Sequence, residues 1–322
     1  MSLKRIAVLT SGGDAPGMNA AVRAVVRTAI YRGMEVKGVL NGYNGIFNDE
    51  IIDLDARSVS DIIQRGGTIL GTARSEKFRT PEGVAEAAQK CRDHGIEGIV
   101  VLGGDGSFRG ARDLSLQGIP CIGIPCTIDN DITSTDYTIG FDTAMNTACE
   151  LADKLRDTSQ SHCRCSIIEV MGRHAGHLAL QVGTAVGATS IIVPEVDFEL
   201  QTEIVDRVLL AKENGKQHYL IVVAENVCDV NEMAKIIENQ TGIDTRATVL
   251  GHVQRGGSPS VRDRVMATKM GFAAVELLKD GYGNRVLAYR NGEIVNYDIY
   301  EALNMKKSIN TEDLHIAHRI SI

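Results

Sequence analysis

Two glycine-rich turns contain the residues of this sequence best suited to hold a phosphate. Gly12–Asp14 follows a short apolar run and precedes a helical pattern, and Gly103–Asp105 repeats that arrangement. Glycines let the backbone approach a ligand closely, and the free N–H groups at a helix N-terminus attract phosphate. Asp105 suits a phosphate that is held together with Mg²⁺, because this ion prefers oxygen ligands. The alternative for the first turn is a tight strand-to-helix connection capped by Asp14 or Asn19.

The second turn also permits a different ligand. Gly104, Gly106 and Gly110 resemble the fingerprint of dinucleotide-binding enzymes, which would make the chain an oxidoreductase. Asp105 argues against that alternative, because a carboxylate beside a pyrophosphate is unfavourable unless a metal lies between them. The acidic residue expected about 20 residues later is also missing. The sequence contains no Gly-x-x-x-x-Gly-Lys-Ser/Thr, which excludes a P-loop.

A third polar run, Pro125–Asp131, follows another predicted strand. Asp129 is placed to take a proton from an attacking hydroxyl group. Thr127 and Asn130 are placed to orient that hydroxyl, and Asp131 suits either a metal or an internal hydrogen bond. The alternative is an Asx turn that caps the next segment.

Several basic side chains lie near predicted strand ends although the net charge is −7. A single arginine is typical of a surface ion pair, but guanidinium groups also bind phosphate through paired hydrogen bonds. His174 and His177 have the spacing of metal ligands, yet no Glu pairs with them in a metal motif, which favours a helix surface. The basic residues of interest are Arg74, Arg164, Arg173, Arg246, His252 and Arg255.

These residues need a sheet to position them. Short β-branched runs such as Arg5–Thr10 alternate with helical patterns such as Met18–Tyr31 along the whole chain. Most strand candidates are nearly continuous apolar runs, as expected of strands covered on both faces. The βαβα order predicts an α/β fold with mostly parallel sheets, in which ligands bind at the carboxyl ends of the strands.

The composition limits the classes of partner. The 322 residues suit two lobes, and the absence of Trp with only 4% aromatic residues predicts an aliphatic core. Net negative charge disfavours nucleic acid or an anionic membrane surface as a partner. No apolar run approaches the ~18 residues of a membrane span, and none suits a signal peptide. Seven cysteines without a Cys-x-x-Cys predict reduced thiols in a cytoplasmic protein.

Five runs of the sequence resemble those of bacterial ATP-dependent 6-phosphofructokinases, in the same order and over essentially the whole chain. The resemblance implies transfer of the ATP γ-phosphoryl group to O1 of fructose 6-phosphate, with Mg²⁺ as cofactor. It also implies two Rossmann-like three-layer lobes joined by several chain crossings. The larger, ATP-binding lobe would comprise residues 1–140 and 255–304, and the smaller, fructose 6-phosphate-binding lobe residues 141–254 and 305–322. The matching runs are Leu9–Asn19, Gly103–Ser107, Thr127–Asp131, Glu169–Arg173 and Gly251–Ser258.

The resemblance implies a role for each matching residue. Asp129 would be the base on the sugar hydroxyl with Thr127 beside it, and Arg173 would stabilise the transferring phosphoryl group. Asp105 would be the Mg²⁺ carboxylate. The implied ATP site consists of Gly13, Arg74, Ser75, Gly104, Asp105, Gly106 and Ser107. The implied sugar-phosphate site consists of Thr127, Ile128, Asp129, Arg164, Met171, Gly172, Arg173, Glu225, Arg246, His252, Val253, Gln254 and Arg255.

The resemblance also implies partners within an assembly. Arg164 and Arg246 resemble phosphate ligands that the family donates across a subunit interface, which implies a homotetramer. Residues matching the family's contacts to the effectors ADP and phosphoenolpyruvate are Arg23, Arg27, Arg156, Gly187 and Lys216. That effector pattern is incomplete. Ala56 stands at an effector arginine, Thr189 stands where a glutamate is usual, and the lysine-rich segment 212–217 has an inserted residue.

Two positions bear on the phosphoryl donor. Pyrophosphate-dependent relatives usually carry Asp at the place of Gly106 and Lys at the place of Cys126, where ATP-dependent members have glycine. Gly106 and the uncharged Cys126 therefore favour ATP over pyrophosphate. A non-catalytic regulatory subunit is disfavoured, because Asp129 and Arg173 are both present.

Overall fold

The computed structural model describes residues 3–321. Within these residues the strands are β1 (Arg5–Thr10), β2 (Glu35–Val39), β3 (Ile51–Leu54), β4 (Ile99–Gly103), β5 (Cys121–Thr127), β6 (Ile139–Gly140), β7 (Cys165–Val170), β8 (Ser190–Ile192), β9 (Tyr219–Ala224), β10 (Thr245–Val249), β11 (Arg285–Arg290) and β12 (Glu293–Asp298).

The helices lie between these strands and after them. They are α1 (Met18–Tyr31), α2 (Tyr43–Phe47), α3 (Pro81–Asp93), α4 (Asp105–Leu116), α5 (Phe141–His162), α6 (His177–Ala185), α7 (Asp206–Glu213), α8 (Val230–Thr241), α9 (Val261–Lys279), α10 (Ile299–Asn304) and α11 (Thr311–Arg319). Short 3₁₀ helices occur at Lys77–Arg79 and Gly251–Arg255, and a π-helical turn at Gln201–Val205 precedes α7. In the part of the chain that the structure describes, none of the helices combines the length and the apolar character needed to cross a membrane.

The chain divides into two compact units. Unit 1 contains the chain as far as Ile128, together with Ile132–Thr143 and Arg255–Lys307. Unit 2 contains Asp129–Asp131, Ala144–Gln254 and the chain from Ser308 onward. The backbone therefore passes from one unit to the other several times.

Unit 1 is built on a sheet with the order β12-β11-β5-β4-β1-β2-β3, and β6 pairs with the end of β5. The central pairs are parallel, whereas β2–β3 and β11–β12 are antiparallel. Every residue of β4 and β5 is buried, because helices cover both faces of the sheet. The carboxyl ends of β5, β4 and β1 consequently lie side by side at one edge.

Unit 2 is built on a fully parallel sheet with the order β10-β7-β9-β8. An aliphatic cluster that includes Ile167, Ile221 and Ile237 packs between this sheet and its helices. In both units the low aromatic content is offset by branched aliphatic side chains, which pack well on a pleated surface.

The sequence prediction of an α/β fold with mostly parallel sheets is confirmed. The predicted bounds of β1 and α1 coincide with those observed. The prediction missed β3, β11 and β12, which form the antiparallel pairs at the two margins of the unit 1 sheet, and it missed the two-residue strand β6. β12 is only partly buried along its whole length, so it lacks the continuous apolar run used to recognise the other strands.

Candidate active site

The first glycine turn leads from β1 into α1. Gly12 and Gly17 have φ angles of +88° and +106°, a region in which residues other than glycine are strained. The Thr72 hydroxyl donates a hydrogen bond of 2.7 Å to the Gly12 carbonyl and fixes the turn from outside. Gly12 and Gly13 are exposed, so their backbone is open to a ligand.

The second glycine turn packs directly against the first. The Ser11 N–H donates to the Leu102 carbonyl at 2.9 Å, and a Cβ on Gly103 would lie 2.5 Å from the Ser11 carbonyl oxygen. Only glycine therefore permits this approach. Ideal Cβ atoms on Gly104 and Gly106 would meet no heavy atom within 4 Å, so both glycines face open space at the N-terminus of α4. An exposed helix N-terminus flanked by glycines is a suitable anion site.

Gly110 has a packing role instead. Its Cβ would lie 2.8 Å from the ring of Tyr43, so the small residue makes room for that ring. The Tyr43 hydroxyl donates to the Ser107 carbonyl at 2.6 Å, and burial raises the pKa of this phenol well above its ordinary value. Tyr43 thus remains a donor that holds the first turn of α4. Close packing explains Gly110 without a dinucleotide.

The Gly71–Ser75 loop is tied to the same end of β1. The Thr10 hydroxyl donates to the Gly71 carbonyl at 2.7 Å, and the Asn44 amide donates to the Arg74 carbonyl at 2.9 Å. The Ser75 hydroxyl accepts from the Phe78 N–H at 3.3 Å, while the Arg74 side chain is exposed. The predicted nucleotide residues Arg74 and Ser75 therefore lie on a loop that adjoins the first glycine turn.

The polar run after β5 is buried. Thr127 is 9% exposed and Asp129 is 5% exposed. The Thr138 hydroxyl donates to the Thr127 carbonyl at 2.7 Å, which ties the end of β5 to the chain that enters β6. Thr127 and Ile128 belong to unit 1, whereas Asp129 is grouped with unit 2.

Arg255 contacts the first glycine turn. Its Nη1 donates to the Asp14 carbonyl at 3.1 Å, and a Cβ on Gly13 would lie 2.4 Å from that nitrogen. Glycine at position 13 leaves room for the guanidinium group against the turn. His252 and Arg255 belong to the same 3₁₀ helix, where residues three apart lie on one face.

In unit 2, a sharply bent turn follows β7. Oε1 of Glu225 accepts hydrogen bonds from the N–H groups of Gly172, at 3.1 Å, and Arg173, at 2.6 Å. The Asn226 amide donates to the Arg173 carbonyl at 2.9 Å. These contacts support Arg173 at a φ of +62°, a conformation that is uncommon for arginine, with its side chain exposed. Predicted sugar-binding residues are thus brought together by one carboxylate.

Gln254 links that turn to the Gly251–Arg255 helix. Its side chain is fully buried, its Oε1 accepts from the Met171 N–H at 3.3 Å, and its Nε2 donates to the Gly251 carbonyl at 2.9 Å. The neighbouring His252 and Val253 are exposed. Gln254 therefore places the exposed residues of the helix next to the end of β7.

Arg164 and Arg246 lie at the amino-terminal ends of β7 and β10, whereas Met171 follows the carboxyl end of β7. Arg164 precedes β7, Arg246 is the second residue of β10, and both pair with Asp244, at 2.5 Å and 3.0 Å respectively. The chain from Arg164 to Met171 runs along β7, so these positions are roughly 20 Å apart at about 3.3 Å per residue. One chain does not bring these two arginines to Met171, Gly172 and Arg173.

Part of the predicted effector set comes together in unit 2. Arg156 donates to the Val186 carbonyl, next to Gly187, and Lys216 donates to the Thr189 hydroxyl at 3.2 Å and to the Ser321 carbonyl at 2.8 Å. Burial, with the nearby Arg156 and Arg207 guanidinium groups, lowers the pKa of Lys216. Arg23 and Arg27 lie on α1 in unit 1, where burial and Arg27 lower the pKa of Arg23.

The donor set for a cation at the second glycine turn is small. Asp105 is the first residue of α4 and is half-buried. Among residues 3–321, no group of three His, Cys, Asp or Glu side chains is arranged to enclose a metal ion. One carboxylate beside a phosphate-binding turn does fit Mg²⁺, which is usually held by one or two carboxylates together with substrate phosphates and waters.

The sequence analysis did not identify the residues that support the turns. Tyr43, Asn44 and Thr72 bond to backbone carbonyls far away in the sequence, and Asn226 does the same in unit 2. No spacing rule reveals such contacts, because their partners carry no side-chain pattern.

The chain is similar to known phosphofructokinases. The sequence profile of the family described as phosphofructokinase matches residues 5–278. The ATP-dependent 6-phosphofructokinase of Clostridium botulinum (strain Loch Maree) is 54% identical over 319 residues, which cover 99% of this chain and 100% of that protein. The ATP-dependent 6-phosphofructokinase of Clostridium tetani has the same identity and coverage.

Similarity extends to a solved structure. A phosphofructokinase from Saccharomyces cerevisiae superposes with a TM-score of 0.87 at 36% identity. The match covers 93% of this chain and 45% of the yeast chain, so the present chain spans less than half the length of that relative.

Proposed function

The chain belongs to the phosphofructokinase family, and from that premise we propose that it transfers the γ-phosphoryl group of ATP to O1 of fructose 6-phosphate, in the glycolytic step that forms fructose 1,6-bisphosphate. The observation that carries the proposal is the pair of glycine turns packed against each other at the carboxyl ends of β1 and β4, with the Thr127–Asp131 run following β5. Phosphoryl transfer needs such positioned N–H groups and charges more than it needs covalent chemistry.

Unit 1 provides the residues for the nucleotide. The backbone of Gly13 and of Gly104–Ser107 is proposed to receive the phosphates, because Gly13 is exposed and because Gly104 and Gly106 face open space at the N-terminus of α4. Arg74 and Ser75 adjoin the same turn and are proposed to complete the ATP site. Gly106 bears no Cβ that would reduce the space for a nucleotide triphosphate, which favours ATP over pyrophosphate.

Asp105 is the residue proposed to hold Mg²⁺. When bound, this cation neutralises charge on the β- and γ-phosphate oxygens of the nucleotide. Asp105 projects from the first turn of α4, so its carboxylate accompanies the phosphates that the same helix N-terminus attracts. The carboxylate and the backbone N–H groups therefore act on the same part of the ATP.

Asp129 is proposed to take the proton from the O1 hydroxyl as that oxygen attacks. Its carboxylate lies inside the polar run two residues after Thr127, and at 5% exposure it is largely shielded from bulk water. Thr127 is proposed to orient the hydroxyl, and Arg173 to stabilise the charge on the transferring group. The left-handed backbone of Arg173, held by Glu225 and Asn226, commits its side chain to one region of space.

The sugar phosphate is proposed to bind through unit 2 and the Gly251–Arg255 helix. Met171, Gly172 and Glu225 would contact the sugar, and His252 and Arg255 the 6-phosphate. Arg164 and Arg246 lie roughly 20 Å away along β7, at about 3.3 Å per residue. We therefore propose that they serve the sugar phosphate of a neighbouring subunit, which makes a homotetramer part of the functional enzyme.

Two further properties belong to the proposal. The protein would act in the cytoplasm, where glycolytic substrates occur. ADP and phosphoenolpyruvate are its candidate effectors, with Arg156, Gly187 and Lys216 as the contacts that unit 2 brings together.

Steady-state kinetics with fructose 6-phosphate tests the proposal. Turnover is expected with ATP and Mg²⁺ and is expected to be absent with pyrophosphate. The same assay with added ADP or phosphoenolpyruvate tests the effector assignment. Turnover with pyrophosphate in the absence of ATP would overturn the choice of donor, and the absence of turnover with either donor would overturn the proposed function.

A further inference from the structure

Asp263 is a buried carboxylate outside the predicted site. It lies in the first turn of α9, its residue is 0% exposed, and it accepts four hydrogen bonds. Oδ1 accepts from the Tyr137 hydroxyl and from the Gly140 N–H at 2.8 Å. Oδ2 accepts from the N–H of Thr143 at 2.9 Å and from its hydroxyl at 2.5 Å. All of these residues belong to unit 1.

The four contacts favour the ionised form of this carboxyl. Two of them come from backbone N–H groups, which can only donate, and the hydroxyls of Tyr137 and Thr143 can donate as well. Burial raises the pKa of the Asp263 carboxyl, and the hydrogen bonds from Thr143, Tyr137 and Gly140 oppose that rise. The charge also lies at the N-termini of both α9 and α5, where helix dipoles favour an anion.

The carboxylate fixes the short strand β6. Gly140 is the parallel partner of Thr127 in the sheet, and Thr138 donates to the Thr127 carbonyl at 2.7 Å. By holding Gly140 and Thr143, Asp263 fixes both ends of the step from β6 into α5. Asp263 thereby supports the end of β5 through β6.

β6 also packs against the chain that follows the first glycine turn. A Cβ on Gly17 would lie 2.6 Å from Cγ2 of Ile139, and a Cβ on Gly140 would lie 2.6 Å from the Ala15 Cβ. β6 is therefore a spacer between the nucleotide turn and the strand that carries Thr127. The position of β6 therefore sets the distance between the first glycine turn and the end of β5.

We propose that Asp263 is a positioning residue that sets the placement of Thr127 relative to the first glycine turn, through Gly140 and Thr143. The inference rests on the proposed function, which assigns the nucleotide to the turn and the acceptor hydroxyl to Thr127 and Asp129. Reactant positioning within about 1 Å governs rate, so a small shift of β6 lowers turnover without removing any group that contacts substrate.

Asp263→Asn tests this role. The amide nitrogen replaces one acceptor oxygen and faces two donors, so β6 loses part of its support. The expected result is a fall in kcat of about tenfold or more, with the KM for fructose 6-phosphate changed by less than about twofold. Hydrogen exchange is expected to become faster in residues 11–17 and 121–143, a readout that does not depend on activity.

Ile237→Ala is the matched control. Ile237 is fully buried in the core of unit 2, whereas β6 belongs to unit 1, so the variant lowers the unfolding temperature by a cavity in the other unit. It is expected to leave kcat and the exchange of residues 121–143 unchanged at a temperature where both variants are folded. Thr143→Val, which removes one of the four donors, is expected to lower kcat by about threefold.

The outcomes separate the inference from the proposed function. An active wild-type enzyme whose Asp263→Asn variant keeps its kcat and its exchange pattern overturns the inference alone. If Asp263→Asn gives no folded protein, Thr143→Val decides, and wild-type kcat with unchanged exchange overturns it. If the wild type is inactive, the proposed function fails, and exchange in residues 11–17 and 121–143 still decides whether Asp263 holds the two segments.

Discussion

Gly106→Ala separates the stability of α4 from its ability to bind phosphate. Gly106 is the second residue of this helix, it is exposed, and an ideal Cβ on it would meet no heavy atom within 4 Å. The new methyl group therefore causes no clash within the chain. Cα–Cβ bonds tilt toward the N-terminus of a helix, so the methyl group points to the place where a phosphate is proposed to bind.

Two opposite effects follow, and each has a magnitude. Alanine is better than glycine in a helix by about 0.8–1.0 kcal/mol, which raises the unfolding temperature by roughly 2–4 °C in a unit of this size. A hydrogen bond from a backbone N–H to a charged group contributes about 1.5–3 kcal/mol, so displacing the phosphate from one such N–H raises the KM for ATP by roughly 10- to 100-fold.

Thermal unfolding of the ligand-free protein and steady-state kinetics measure the two effects. The reasoning is refuted by a variant that is more stable but has a wild-type KM for ATP, because the phosphate then lies elsewhere. A loss of stability would contradict the open space at Gly106. Gly110→Ala is the control in the same helix. Its Cβ would lie 2.8 Å from the buried ring of Tyr43, so the same substitution is expected to destabilise the protein.

Three other predictions test separate parts of the molecule. Asp129→Ser is expected to lower kcat by about 10²–10⁴-fold with both substrates still bound, and a kcat within about threefold of wild type would contradict a general base. Arg246→Ala is expected to raise the KM for fructose 6-phosphate at least about tenfold and to leave the KM for ATP unchanged. The control Lys235→Ala, at an exposed lysine, is expected to change neither KM. Equal effects of Arg246→Ala on both KM values would argue against a phosphate ligand. Burial, then Glu225 and Asp229, raises the pKa of Glu169. The native state therefore holds this proton more tightly than the unfolded state, and stability is lost as the pH rises through the raised pKa. Glu169→Gln should accordingly unfold at a higher temperature than wild type near pH 8 and at the same temperature near pH 4 in calorimetry, and an equal difference at both pH values would exclude this titration.

The parallel core of the fold could be predicted because strands that are buried on both faces have nearly continuous apolar sequences. β1, β4 and β5 are continuous apolar runs with every or nearly every residue buried. β12 lies at the sheet edge and has no fully buried residue, and β3 is only four residues long. Edge strands carry weaker patterns because only part of their surface is covered, which is why they were missed.

The site could be predicted wherever chemistry depends on residues close together in the chain. Glycines that approach a ligand or adopt a positive φ must recur at fixed spacing, so both turns were found. The sequence analysis did not single out Asp263. Its four donors come from residues more than a hundred positions earlier, and nothing in the local pattern distinguishes it from an ordinary helix-terminal Asp.

Arg164 and Arg246 have the side chains that a sugar phosphate needs, but they lie away from the proposed sugar site of their own chain. Both residue types suit a sugar phosphate, yet both bind Asp244 at the amino-terminal edge of the unit 2 sheet. A carboxylate shared between two guanidinium groups leaves a net positive charge and holds the pair at fixed separation. The Arg246 side chain is 67% exposed, so the charge is presented outward. Such a patch lies at the opposite ends of the unit 2 strands from the proposed sugar site of its own chain, and under the proposal it would bind a phosphate brought by a second subunit. Subunit association is therefore expected to govern the KM for fructose 6-phosphate rather than the KM for ATP.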